Sequence, residues 1–245
     1  MNKFLARAGI TSRRKADELI EQGRVKVNGT PVTRLGTKIN QRSDKVEVDG
    51  EEVKAESRYY LILNKPPGYL VTLDDPFDRP TINELMPDLD VRLFPVGRLD
   101  LDSEGLLLCT NDGELAHHLM HPRYGIKKVY LVRIKGHIQR KNLKTLSEGV
   151  ILDNRKTFPD KLELIKKDPD STLLKVNIHE GRKREIRRMF QSVGYQVTRL
   201  KRIQFAGLKL GNLKKGRWRY LKPNEIKKLK QKQQAVTMDK RSDYQ

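Results

Sequence analysis

The sequence predicts an α+β protein, a small module followed by a larger one with a mostly antiparallel sheet. Three observations predict it. Short apolar strands and helices alternate in irregular order, not as regular βαβ units. The composition shifts near residues 55–58, and the hydrophobic pattern is complete on either side, so each side can close its own core. The 245 residues carry 51 Lys and Arg against 31 Asp and Glu, and a net charge of +20 points to a polyanionic partner. The expected division is residues 1–57, residues 58–230 and a flexible basic tail, 231–245.

The elements follow in order. Ser12 caps a helix whose apolar positions Ala16, Leu19 and Ile20 fall at i, i+3 and i+4, and Gly23 suits the left-handed residue that ends it. Val25 and Val27 alternate with Arg24 and Lys26 and run into the turn dipeptide Asn28-Gly29. A second strand and turn lie at residues 45–48 and Asp49-Gly50. Arg13, Arg14 and Lys15 occupy the first turn of the helix, where cations oppose the helix dipole unless a phosphate meets them. Tyr60 to Leu63 is an apolar strand, stopped by Asn64-Lys65-Pro66-Pro67-Gly68. Leu70 and Val71 restart an extended segment. A loop from Gly97 to Gly105 carries Asp100, Asp102 and Glu104 and precedes a strand at Leu106 to Thr110. The turn Asn111-Asp112-Gly113 leads into a helix with Leu115, Leu119 and Met120, which Pro122 ends. Lys128 to Ile134 reads as a strand with Tyr130, Val132 and Ile134 on one face. The strand Leu173 to Ile178 feeds the Gly181 turn and a basic helix, whose buried stripe is Ile186, Met189, Phe190 and Val193. From about Lys222 the chain is rich in Lys and Gln and short of apolar anchors, so it is expected to fray past Lys230.

Several function classes drop out. No apolar run approaches the ~18–20 residues of a membrane helix. The N-terminal stretch lacks a continuous apolar segment, so no secretory signal is expected. The single cysteine, Cys109, excludes an internal disulfide and a cysteine-based zinc site, and it fits a reducing, cytoplasmic setting. No glycine-rich phosphate loop is present, which argues against a nucleotide cofactor. His117, His118 and His121 include an i, i+4 pair but no obvious third ligand, so a helix surface is expected and no metal. Residues 182–219 hold thirteen Lys and Arg against one acid, Glu185, and read as a phosphate-tracking face. The Gly97–Gly105 loop is the one candidate for chemistry. It offers a carboxylate nucleophile for a sugar carbon, a paired acid and base in Asp100 and Asp102, or a plain acidic turn. The residues alone leave these three open.

Two resemblances sharpen the reading. LARAGITSRRKADELIEQGRVKVNG resembles the S4 RNA-binding domain, over about residues 1–48. That resemblance implies phosphate contacts for Arg13, Arg14, Lys15, Arg24 and Lys26. The segments Asn64-Lys65-Pro66-Pro67-Gly68, Gly97-Arg98-Leu99-Asp100, Leu106 to Gly113 and Glu180 to Met189 resemble the S4-carrying pseudouridine synthases of ribosomal RNA. The match runs from Met1 to about Leu221. Asp75 to Thr81 and Gly216-Arg217-Trp218 look closest to the large-subunit branch. The resemblance implies an S4-type domain followed by a pseudouridine synthase domain with a mostly antiparallel sheet. It makes Asp100 the catalytic aspartate, Tyr130 the ring lining the uracil pocket, and Arg187 the cation that pairs with the aspartate. Arg98, Leu99 and Leu200 become pocket residues, and Lys65, Arg182, Lys183, Arg184 and Arg188 RNA contacts. Asp102 has no catalytic role in that pattern. The implied activity is isomerisation of uridine by base flipping, without cofactor or metal. The implied partner is ribosomal RNA or a ribosomal assembly intermediate, met by a cytoplasmic monomer away from membranes. Large-subunit RNA stands ahead of small-subunit RNA. Two other classes remain: a non-enzymatic S4-type assembly protein, which needs no Asp100 site, and an RNA N-glycosylase, which needs a second carboxylate opposite Asp100.

Overall fold

The Ser12 hydroxyl caps helix α2 (Arg13–Glu21) by accepting from the Lys15 amide, as the spacing predicts, and Ala16 and Ile20 are buried. The computed structural model describes residues 1–40, 43–54 and 56–231. Its first unit comprises Met1–Tyr59 with Asp88–Leu93 and Asn111–Gly113. A six-residue helix, α1 (Asn2–Arg7), precedes α2 and was not anticipated, being too short to show a helical period. Four short strands follow: β1 (Val25–Val27), β2 (Thr30–Pro31), β3 (Val46–Val48) and β4 (Glu51–Glu52), in the order β2-β1-β3-β4. Asn28 and Gly29 both take positive φ, 51° and 79°, the backbone a two-residue hairpin turn requires. Leu5, Ala16, Ile20, Val25, Val46 and Val53 close this unit's core.

The second unit comprises Tyr60–Pro87, Phe94–Thr110 and the chain from Glu114 onward. Its strands are β5 (Tyr60–Lys65), β6 (Phe94–Pro95), β7 (Glu104–Thr110), β8 (Lys128–Lys135), β9 (Val150–Leu152), β10 (Arg155–Thr157), β11 (Lys161–Asp168), β12 (Ser171–Ile178), β13 (Val197–Phe205), β14 (Leu208–Lys209) and β15 (Trp218–Tyr220). Its helices are α3 (Gly113–Met120), α4 (Arg140–Glu148), α5 (Glu185–Ser192) and α6 over residues 223–231. The large sheet runs β11-β12-β8-β13-β7-β5-β15, and β9 with β10 forms a separate hairpin. Neighbours along the large sheet are antiparallel except β13 and β7, which are parallel. The α+β class with a largely antiparallel sheet is therefore as expected. Tyr130, Val132 and Ile134 are all buried, as period two requires.

Three expectations are corrected. Leu70 and Val71 do not start a strand; Leu70 makes one isolated bridge, to Thr81. The run Val197 to Phe205 is a central strand, not merely part of a basic face. The segment after Lys222 is not short of anchors, because Leu229 is buried and Ile226 packs against the core formed by Ile62, Leu106, Leu108 and Phe205. The expected tail beyond Gln231 lies outside the described residues. Among the described residues no helix is long and apolar enough to cross a membrane.

Candidate active site

The loop that carries Asp100 is fixed from below by a buried lysine. Lys65 ends β5, is fully buried, and donates from Nζ to four main-chain carbonyls: Pro66 at 3.0 Å, Asp100 at 3.2 Å, Leu101 at 3.3 Å and Ser103 at 2.9 Å. The Gly68 amide adds a bond to the Leu101 carbonyl at 2.8 Å, and the Ser103 amide one to the Asp100 carbonyl at 3.0 Å. Burial pushes the Lys65 ammonium down to about 8, against the pull of Asp102, Asp100 and Glu104. Lys65 is thus withdrawn from any phosphate, and its expected role as an RNA contact is corrected: it shapes the loop.

The loop leaves into β7 at the centre of the sheet. Gly105 takes φ +107°, and a Cβ there would lie 2.2 Å from the Arg202 carbonyl oxygen, so the close parallel pairing of β7 and β13 requires glycine. The pairing puts Lys201 opposite Glu104 and Arg202 opposite Gly105, while β8 places Tyr130 opposite Arg202 and Val132 opposite Leu200. Tyr130 and Leu200 are both buried. Two strand spacings, roughly 10 Å, separate the start of β7 from Tyr130. Leu200 and Tyr130 therefore lie on neighbouring strands of the sheet, and the Asp100 loop runs into the next strand, β7. Leu99 is buried beside the aspartate, whereas Arg98 is exposed.

The arginines descend on this loop from α5. Arg184, at φ 51°, precedes the helix and brings Nη1 within 3.8 Å of Asp100 Oδ2 and 3.5 Å of Asp102 Oδ1. Arg187 pairs not with Asp100 but with Asp102, at 3.0 Å from Nη2 to Oδ2, and also donates to the Asp102 and Val197 carbonyls. The expected pairing of Arg187 with Asp100 is thereby corrected. The resemblance supplied that pairing, and a matched motif cannot tell which of two carboxylates two residues apart each cation meets.

Much of the basic block is structural. Arg188 forks onto Asp153 at 2.8 and 2.6 Å, which fills the role assigned to RNA phosphate. Arg182 meets Glu180 and Thr157. Arg199 and Lys215 both meet Glu104, whose side chain is 3% exposed. Burial pushes the Glu104 carboxyl up, but the hydrogen bonds from Lys215 and Arg199 outweigh it and leave the group below its ordinary value. Arg202 is buried, donates to the Leu106 carbonyl at 2.7 Å and lies 5.0 Å from the Phe205 ring centroid. Lys183 stays exposed. A second lysine, the half-buried Lys128, donates to the carbonyls of Ile126, His179 and Glu180 and so fixes the turn that leads to the arginines; its partial burial, then Arg202, push it down to about 8.

In the first unit Arg13, Arg14, Lys15 and Lys26 are exposed, and no ion pair engages them among the described residues. Arg24 forks onto Asp49 at 2.8 and 2.5 Å, so its ordering within the unit competes with the expected phosphate contact. Cys109 is fully buried, and burial pushes its thiol up to about 12, which makes it inert. His118 is buried and stacks on Tyr124 rather than facing solvent, and no cluster of metal-binding type occurs among the described residues.

Comparison with known proteins converges on one chemistry. Residues 59–192 match the family model described as RNA pseudouridylate synthase, and residues 2–46 match the S4 domain. An RNA pseudouridine synthase of Aquifex aeolicus is 48% identical over 230 residues, 94% of this chain and 92% of that protein. The ribosomal large subunit pseudouridine synthase B of Bacillus subtilis is 43% identical over 94% of this chain and 95% of its own length. A solved pseudouridylate synthase superposes with a TM-score of 0.68 at 32% identity, over 93% of this chain and 98% of that one.

Proposed function

Because the chain belongs to the RNA pseudouridylate synthase family and carries an S4 domain ahead of its catalytic domain, we propose that it isomerises one uridine of large-subunit ribosomal RNA, with Asp100 as the catalytic carboxylate. Residues 1–57 serve in this reading as the S4-type RNA-binding domain and 58–230 as the pseudouridine synthase domain. The observation that carries the site is the Asp100 loop, pinned with the main chain around it by four carbonyl bonds to one buried ammonium at the end of β5. The likeness to large-subunit enzymes over 94% of the chain supports the RNA class.

The reaction breaks the N1–C1′ bond, turns the uracil and joins C5 to C1′. The hydrogen lost from C5 is matched by one gained at N1, so no redox partner or group donor enters. A stacked uridine hides C1′ from a side chain, so the base leaves the helix at a cost of a few kcal/mol. Phosphate contacts from the basic surfaces offset that cost. Tyr130 gives the uracil a face worth ~1–3 kcal/mol, and Leu99 and Leu200 keep the pocket dry. Asp100 acts on the ribose at C1′ or C2′, and either route needs the ionised carboxylate. The Arg184 guanidinium stands 3.8 Å from its Oδ2, a cation beside the reacting group.

Asp100→Asn keeps size and hydrogen bonding but lacks the anion. Purified mutant with ribosomal RNA lacking the modification should form pseudouridine about a hundredfold more slowly or worse. Turnover within tenfold of the parent removes Asp100 from the mechanism. Pseudouridine mapping of both ribosomal RNAs, from cells with and without the gene, tests the subunit: a lost site in small-subunit RNA overturns the large-subunit reading.

A further inference from the structure

The hairpin of β9 and β10 stands apart from the large sheet, and an isolated two-stranded hairpin is marginal in water. Here its inner side chains Val150, Leu152 and Thr157 are buried, and its tip, Asp153-Asn154, turns with φ of 52° and 57°. Two arginines tether it: Arg188 forks onto Asp153, and Arg182 donates to the Thr157 hydroxyl. Arg188 lies one helical turn, ~5.4 Å along the axis, from Arg184 at Asp100. One helix start thus holds both the reactive loop and the hairpin.

The hairpin's outer face carries two large apolar side chains in the open. Ile151 is 65% exposed and pairs directly with Lys156; Phe158, two residues on from Lys156, is 50% exposed. Cross-strand partners and alternate residues share a face, so Ile151, Lys156 and Phe158 form one patch. Gly149 sits beneath it at φ +106°, where a Cβ would come within 3.0 Å of the Lys156 Cε and 3.3 Å of the Phe158 Cβ. An aliphatic side chain, an aromatic ring and a cation, presented together on a tethered hairpin in a chain of charge +20, suit an unstacked base and its phosphate.

We propose that the Ile151–Lys156–Phe158 face of this hairpin grips an unpaired nucleotide of the substrate RNA beside the target uridine. Phe158 and Ile151 take the base and Lys156 its phosphate. The proposal rests on the RNA-modifying reading above.

The test is RNA binding by Asp100→Asn protein, so that turnover does not intrude. A labelled large-subunit RNA fragment that the parent enzyme modifies is titrated over a range of salt. Ile151→Ser/Phe158→Ser should weaken binding by about tenfold or more, as loss of one stacked base does. Lys156→Gln cannot disturb the core and should lower the slope of log affinity against log salt by roughly 0.7. If the parent modifies and binds RNA but both variants match it in affinity and slope, the grip is overturned. If the variants instead abolish self-association of the parent and leave RNA affinity alone, the patch is a protein contact and the proposal falls. A parent that neither modifies nor binds RNA refutes the underlying reading instead, and that result is separately visible.

Discussion

At the scale of single residues, Lys65 decides the geometry of the site. Its ammonium holds the carbonyls on either side of Asp100 and Asp102, and the proton it needs for this is weakly held, at about 8. The unfolded chain keeps that proton to about 10.5, so between 8 and 10.5 the unfolded state binds more protons than the folded one, and stability rises with pH. Lys128, also near 8, adds the same sign. Activity should go the other way, because a neutral amine has two donors where the ammonium has three. Melting temperature should therefore hold or rise from pH 8 to 9.5 while kcat/KM falls; a parallel fall in both would mean that unfolding, not the loosened loop, sets the profile. Asp102 is the second decisive residue, as the carboxylate of Arg187. Asp102→Asn keeps an acceptor oxygen but not the charge. Half exposure of Asp102 limits the lost ion pair to ~1 kcal/mol or less. Turnover should fall by less than about tenfold, far less than for Asp100→Asn. A loss equal to that of Asp100→Asn, in the same pseudouridine assay, would give Asp102 the catalytic role.

At the scale of elements, the parallel pairing of β7 with β13 joins the Asp100 loop to the strand that carries Leu200, and Gly105 permits it. Gly105→Ala sets a Cβ 2.2 Å from a backbone oxygen that cannot swing aside, at a φ that L side chains rarely take. The expected cost is about 3 kcal/mol or more, read as a drop in denaturant midpoint or as insoluble protein. A midpoint within error of the parent would show that the two strands can part without cost. This element was also the least legible in the sequence. Val197 to Phe205 carries Arg199, Lys201 and Arg202 among its apolar residues, so it reads as charged surface, yet Arg202 is buried and Arg199 meets Glu104. The partners lie about 95 residues upstream, beyond the reach of any local period. By contrast α2, β1 and β5 were plain, because capping, turn dipeptides and apolar runs are local signals. The Asp100 loop was visible for the same reason, between two glycines and ahead of an apolar strand. Lys65 was misread because a lysine beside two prolines looks like surface, and only the fold brings four carbonyls around it.

At the scale of the whole molecule, a charge of +20 has two uses, and the structure sorts them. Arg24, Arg188, Arg199 and Lys215 are matched by acids within the fold. Arg13, Arg14, Lys15 and Lys26 are exposed and unmatched among the described residues, which leaves the S4 unit with a group of cations facing solvent. Three of them crowd the first turn of α2, where each costs the free protein about 0.3–1 kcal/mol against the helix dipole. An arriving phosphate meets three cations and the open amides of that turn together. Changing all three to Gln should hold or raise the melting temperature, because the repulsion with the dipole is gone. It should weaken RNA binding for all sequences alike, since phosphates carry no sequence. The slope of log affinity against log salt should fall by roughly 2, about 0.7 for each phosphate contact on single-stranded RNA. Titration at three salt concentrations, with the thermal melt beside it, reads both quantities. A lower melting temperature with an unchanged slope would make the three cations structural and would leave the S4 unit without its grip on the RNA backbone.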